Sequence, residues 1–318
     1  MQPPEAHHSE SGRRAVPVLE IGGSHVASAV VGWPPQEDGL PAVRGPVHRV
    51  PLDPHWGADA LIGAFVNAGN RLGVDCRQRW AVAIPGPFDY AKGIGLYTGD
   101  DVGKFESLRN VNLRAQLTRL LRSRPSSVLF LNDADAFALG EHAVGAGRGY
   151  DRAVFLTIGS GVGSAFLNGG AITSYGPDVP PGGEAYRIIF QGRPLEDTVS
   201  RRAIRRQYRS ATGCDADLLY IASMTRSGQP AAMAVMSEAM RSLGQAIGPW
   251  CKTFRAQALI IGGAVSASWD VIADPIRLGL ADELGQDSVP VIRAEMGTDG
   301  PLIGAGIAAE RDHQLPSR

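Results

Sequence analysis

The sequence predicts an α/β protein built from two similar lobes, and three observations carry that expectation. Short apolar runs that end on glycine alternate with stretches of helical periodicity along the chain. The tetrapeptide Leu19-Glu20-Ile21-Gly22 is echoed by Leu156-Thr157-Ile158-Gly159 at a constant offset of 137 positions, which a duplicated lobe explains economically. A length of 318 residues suits two domains of ordinary size.

Composition narrows the function classes. The chain is 44% hydrophobic and 20% charged, so it can bury a substantial core. With 31 Lys+Arg against 32 Asp+Glu, the formal net charge is -1, and neither nucleic acid nor a membrane surface is an expected partner. No apolar run approaches the ~20 residues that span a bilayer, and the segment MQPPEAHHSESGRR lacks the apolar centre of a signal peptide. Three widely spaced cysteines, Cys76, Cys214 and Cys251, fit a reducing compartment, so a cytoplasmic location is expected.

Element by element, residues 1–14 read as a disordered tail. Residues 16–21 and 26–32 form a hairpin about Gly22-Gly23-Ser24, with a third strand over 46–52. Residues 58–72 place Leu61, Ile62, Phe65 and Ala68 on one helical face. Residues 80–85 are a buried strand stopped by Pro85-Gly86-Pro87. An irregular stretch over 89–105 precedes a helix over 107–122. The strand 128–133 then runs into a helix starting near Ala134. Strand, glycine turn and strand recur over 153–168, with Asn168-Gly169 as the next turn signal. Two or three helices fill 195–254, followed by a strand ending on Gly262-Gly263, a helix, a strand over 289–294 and a last helix over 302–311. The lobes are expected at 15–126 and 127–301, with the C-terminal helix (302–318) packing back on the first.

Three strand-terminal turns suit a polyphosphate: Gly22-Gly23-Ser24, Gly159-Ser160-Gly161 and Gly262-Gly263. A triphosphate needs backbone N–H groups at close approach, and glycine lacks the Cβ that would obstruct it. Neither a Walker lysine pattern nor a dinucleotide-type glycine motif is present. Glu20, beside the first turn, is a candidate to hold Mg²⁺ through water, with a solvated strand residue as the bland alternative. Asp133 lies where a strand meets a helix, a position suited both to a general base and, like Asn132, to a simple helix cap.

The segments LEIGGSHVASAVV, IPGPFD, LNDADAFALGEHAVGAGRGYD, LTIGSGVG, PGGEAYR, LEDTVSRRAI and ALIIGGAVS resemble, in order and spacing, the ROK family of sugar kinases. The likeness covers Val16 to Glu310, and its most specific part is Leu131 to Asp151, similar to the family's E-N-D-A-N…A-L-G-E block. The resemblance implies the two-lobed actin-like, hexokinase-type (ribonuclease H-like) ATPase fold with a cleft between the lobes, ATP and Mg²⁺ as cofactors, and a homodimer. It implies Asp133 as the base that takes the proton of a sugar hydroxyl, with Asn132, Glu184, Glu196 and the Gly86-Pro87 turn lining the acceptor site. Asp135 is expected to serve the helix dipole, and Asp100 or Asp101 to lie near the same cleft.

The chain departs from the family where relatives carry a structural zinc site. Arg187 stands in place of its histidine and Pro194 in place of its last cysteine, so no zinc is expected. That histidine also contacts sugar in the family. Arg187 therefore points either to an altered acceptor (a modified sugar, an amino sugar or a C7-cyclitol) or to a surface ion pair. Glu20 replaces the usual aspartate. A non-catalytic sugar-binding protein is the more distant alternative. A repressor with a preceding DNA-binding domain is not expected, because only fifteen residues precede Val16. The arginine-rich run 201–209 reads as a solvated helix face, and Met224, Met233, Met236 and Met240 as core or subunit-contact residues. The scattered histidines offer no metal-ligand spacing.

Overall fold

Two five-stranded mixed sheets are wound in the same strand order. The computed structural model describes residues 14–34, 39–74, 77–99 and 103–314; the expected tail up to residue 13, Cys76, Asp100 and Asp101 lie outside the described residues. The chain divides into two units, one running to Leu131 and resuming at Ala305, the other Asn132–Gly304.

In the first unit, β1 (Ala15–Ile21) pairs antiparallel with β2 (His25–Gly32), and β2 with β3 (Ala42–Pro51). On its other side β1 runs parallel to β4 (Arg79–Ile84). A two-stranded ribbon, β5 (Phe88–Asp89) and β6 (Ile94–Gly95), follows. With β7 (Ser127–Asn132) the sheet order is β3-β2-β1-β4-β7. Helix α1 (Ala58–Asn70) buries Leu61, Ile62, Phe65 and Ala68, the face the spacing predicts. These side chains join Leu19, Ile21, Trp80, Val82 and Ile84 in one core. Helix α2 (Leu113–Leu120) is shorter than the expected 107–122. Asn110 has φ 60°, which breaks any helix there, and Asn112 caps the new start by accepting from the Ala115 N–H.

In the second unit, α3 (Asp133–Val144) leads to β8 (Arg152–Ile158) and β9 (Val162–Asn168), an antiparallel hairpin, and β10 (Ala171–Ile172). The β9–β10 turn is centred on Gly169-Gly170 (φ 57° and 75°), one residue later than expected, because both central positions of such a turn need positive φ. After a ribbon of β11 (Ile189–Phe190) and β12 (Arg193–Pro194) come four helices rather than two or three: α4 (Glu196–Val199), α5 (Arg201–Thr212), α6 (Leu218–Arg226) and α7 (Pro230–Phe254). Extended Ser200 and left-handed Gly213 and Gly228 supply the breaks. Strand β13 (Ala258–Gly262), α8 (Trp269–Leu284), β14 (Val291–Arg293) and α9 (Gly300–Gln314) complete the chain. The sheet order β10-β9-β8-β13-β14 reproduces that of the first unit, and β8 runs parallel to β13 as β1 does to β4. The sequence echo therefore marks the first strand of each sheet.

Met236 and Met240 are fully buried in the second core, while Met233 is exposed. The later part of α9 belongs to the first unit, where Asp312 pairs with Arg79 and Glu310 with Arg14. Among the described residues no helix is long and apolar enough to cross a membrane.

Candidate active site

The first glycine turn closes the β1–β2 hairpin, with the Gly22 N–H donating to the His25 carbonyl at 2.9 Å. The side chain of Lys104 reaches this turn, its Nζ lying 2.9 Å from the point a Gly23 Cβ would occupy. Glu20, the last polar residue of β1, is largely buried, and its Oε2 lies 3.7 Å from His25 Nε2. Burial and then the charge of Arg49 lower the His25 pKa, so the imidazole is neutral at pH 7 and does not neutralise Glu20.

The second turn closes the β8–β9 hairpin and is held from several sides. The Gly159 N–H donates to the Gly161 carbonyl at 2.9 Å, and the Arg201 N–H donates to the Gly159 carbonyl at 2.9 Å. Arg201 Nη2 donates to Ser160 Oγ (2.9 Å) and Arg202 Nε to the Ser160 carbonyl (3.0 Å). Glu196 receives Arg202 Nη2 on Oε1 (2.9 Å) and the Val162 N–H on Oε2 (2.9 Å). That carboxylate needs Gly161, where a Cβ would stand 2.5 Å from Glu196 Oε2. Gly263 closes the end of the neighbouring strand at φ 79°, with its Cβ position 2.6 Å from the Ile158 backbone, so the second and third turns lie side by side. Gly262 is used differently, since a Cβ there would meet the Phe137 ring at 2.5 Å. The N–H groups of Gly23, Ser24, Ser160 and Gly161 have no hydrogen-bond acceptor among the described residues. Unused turn amides beside lysine or arginine are what an anionic phosphate chain requires.

The candidate base stands close to the second turn. Ala134, at the start of α3, lies against Gly163, whose Cβ position is 2.9 Å from the Ala134 Cβ. Asn132 caps α3 through Oδ1, accepting from the N–H groups of Ala134 (2.8 Å) and Asp135 (3.3 Å), and Asp133 Oδ1 accepts from Ala134 N–H (2.9 Å). Burial, followed by the Asp133 charge, pushes the Asp135 carboxyl up to about 7. A fully ionised helix-dipole partner is thus not what Asp135 provides; its desolvation could not be read from the first turn of a helix.

The next residue of β9, Ser164, anchors the segment that carries Glu184. Its Oγ donates to the Gly183 carbonyl (2.6 Å) and accepts from the Ala185 N–H (2.7 Å). Arg187 pairs with Glu184 at 3.0 Å and lies over the Tyr186 ring at 5.2 Å. Of the two readings open for Arg187, the structure has the ion pair, formed with a residue expected to bind sugar. Gly86 and Pro87 lie in the first unit, joined by a cis peptide bond at the end of β4.

Sequence reasoning missed Lys104, Arg201 and Arg202 at the turns. The arginine run was expected to be a solvated face, yet its first two members meet the second turn. It also missed the anchoring role of Glu141, fully buried on α3, whose carboxylate accepts from the N–H groups of Ala146 (2.9 Å), Glu295 (3.1 Å) and Met296 (2.8 Å). Its place in the A-L-G-E motif was the available signal.

The sequence profile of the ROK family matches residues 19–177 and 190–312. The chain belongs to the ROK family. This ROK protein is 28% identical over 252 residues to a glucokinase of Thermotoga maritima, covering 70% of this chain and 76% of that protein. The structure of a ROK hexokinase from Thermus thermophilus superposes with a TM-score of 0.73 at 24% identity, covering 94% and 99% of the two chains. That of a ROK glucokinase from Streptomyces griseus in complex with glucose and AMPPNP gives 0.70 at 23%, covering 94% and 100%. The fold is therefore the actin-like, hexokinase-type α/β fold of ROK sugar kinases.

Proposed function

We propose that this ROK protein is an ATP-dependent kinase that transfers the γ-phosphoryl group of ATP to a hydroxyl of a sugar or sugar-like polyol, with Asp133 as general base. The observation that carries the reading is the placement, within one unit, of Asp133 beside a strand whose turn offers unused amides flanked by Arg201 and Arg202. Phosphoryl transfer asks the protein for alignment and charge stabilisation more than for covalent chemistry. The Asp133 carboxylate takes the acceptor hydroxyl proton as that oxygen attacks phosphorus, and the bond to the leaving ADP oxygen breaks. Arg201 and Arg202 support the phosphates at the second turn, and Lys104 gives the first turn a cation of its own. Glu20 fits a water-mediated Mg²⁺ partner: it is an acidic side chain at the phosphate turn facing a neutral imidazole. The metal would supply neutralisation of phosphate charge. Glu196, with both oxygens engaged at the turn, serves better as the brace of Gly161 than as a direct sugar ligand.

Glu184 and Asn132 are the sugar-hydroxyl ligands in this reading. The Arg187–Glu184 pair favours an acceptor unlike plain glucose, such as an amino sugar or a C7-cyclitol, because Arg187 competes for the carboxylate that hydroxyls would use. We also infer a cytoplasmic homodimer from the family, testable by light scattering. ADP release measured over hexoses, amino sugars and C7-cyclitols tests the activity. Turnover that disappears in Asp133→Asn supports it; sugar binding without turnover on every acceptor overturns it in favour of a non-catalytic binding protein.

A further inference from the structure

Several arginines of this molecule are paired with carboxylates. Arg14, Arg79, Arg152, Arg187, Arg202, Arg205, Arg226, Arg241 and Arg277 each meet a carboxylate within ion-pair distance. One surface of the first unit gathers four arginines that have no such pair among the described residues. A groove of about 520 Å³ between α2 and the segment entering β7 is lined by Arg77, Arg114, Arg119 and Arg124, with Asn112 and Thr118 as its other polar side chains and no acidic residue among the described residues.

None of these four guanidinium groups forms an ion pair among the described residues. Three are held in place by neutral acceptors instead. Arg114 donates to the carbonyls of Ala91 (2.7 Å), Val128 (3.2 Å) and Tyr90 (3.3 Å) and lies 5.7 Å from the Phe130 ring centre. Arg119 donates to Gln116 Oε1 (3.0 Å), and Arg124, at φ 46°, donates to the Arg119 carbonyl (2.6 Å). Carbonyl and amide oxygens orient a guanidinium without cancelling its charge. Four positive charges, three of them held by hydrogen bonds, therefore share one concavity in a chain whose formal net charge is -1. Like charges held together repel, and a multivalent anion relieves that repulsion while using the planar donor forks that suit phosphoryl oxygens.

We infer that the Arg77–Arg114–Arg119–Arg124 groove is a binding site for a short inorganic oligophosphate, separate from the glycine turns. A single phosphate meets too few of the charges, whereas a chain of three linked phosphoryl groups can engage several forks at once. The inference stands independently of the proposed kinase reaction.

The test is calorimetric titration of the full chain with inorganic tripolyphosphate, with ADP saturating so that a nucleotide site is filled. The double variant Arg77→Gln/Arg119→Gln removes two exposed charges, and Arg148→Gln, an exposed arginine of the other unit, is the control. Thermal unfolding checks that each variant is folded. The expected result is saturable binding that weakens about tenfold or more in the double variant, is unchanged in the control, and falls steeply with added salt. Three results would each overturn the inference: no saturable binding beyond ADP, equal affinity in the double variant, or orthophosphate binding as tightly as tripolyphosphate. A single-stranded oligonucleotide binding as tightly, with the same sensitivity to the double variant, would also overturn it by assigning the groove to a nucleic-acid backbone.

Discussion

The two hairpin turns occupy equivalent places in two sheets of identical order, yet they are built differently. The first holds four residues, Gly22 to His25, inside its closing pair Ile21↔Val26, whereas the second holds three, Gly159 to Gly161, inside Ile158↔Val162, and the first is approached by the side chain of Lys104. The second is braced by Glu196, Arg201, Arg202 and Ser160. The two units share the strand that delivers each turn and draw the cations that serve it from different segments. The second turn is formed in advance of any ligand, so it contributes binding without further ordering cost. The first has the Lys104 side chain at Gly23 in place of that frame of arginines and glutamate.

This contrast can be broken by substitution. The largest effect is expected from Asp133→Asn, which leaves both turns intact: kcat falls by about 10³-fold while ADP affinity, read by calorimetry, stays the same. Loss of nucleotide binding in that variant would mean that the aspartate supports the second turn rather than the acceptor. Next in size, Gly161→Ala drives a methyl group into Glu196 and should cost about 2 kcal/mol in chemical denaturation. Gly159→Ala, where a Cβ meets nothing within 4 Å, should cost well under half of that.

A smaller difference separates the cations. Arg202→Ala is expected to raise the KM for ATP about tenfold, and Lys104→Ala about threefold, because the arginine is both charge and brace. Equal effects would show that bracing adds nothing. The smallest expected effect concerns pH. The Asp135 carboxyl is raised from 3.8 to about 7, so the folded state binds its proton more tightly than the unfolded chain. Stability from this group is full below pH ~3.8 and is lost as pH rises towards 7. Asp135→Asn removes that loss, so its melting temperature relative to the unsubstituted protein should be higher at pH 8 than at pH 5.

Much of the fold was legible because its signals are local. Alternating apolar runs ending on glycine announced β1–β2 and β8–β9, and Leu61, Ile62, Phe65 and Ala68 recur at helical spacing whatever they pack against. The strand-to-helix passage at Asn132-Asp133 was legible for the same reason. The start of α2 was not, since leucine and arginine spacing continues upstream of Leu113 and only the left-handed backbone at Asn110 interrupts it. Arg201 and Arg202 look like their neighbours Arg205 and Arg206 in the sequence. What separates them is their place in the first turn of α5, which the fold sets against Ser160.

The amino-acid order alone determined the strands, the glycine bends, the duplicated pattern and the position of Asp133 at a helix start, because each depends on backbone preferences acting over a few neighbours. Only the tertiary structure decided that Glu196 braces Gly161, that Arg187 holds Glu184, that Asp135 is desolvated beside Asp133, and that four arginines share a groove with no carboxylate among the described residues. Those outcomes depend on which distant segments are brought side by side, and both charge pairing and desolvation are properties of that neighbourhood rather than of the residue.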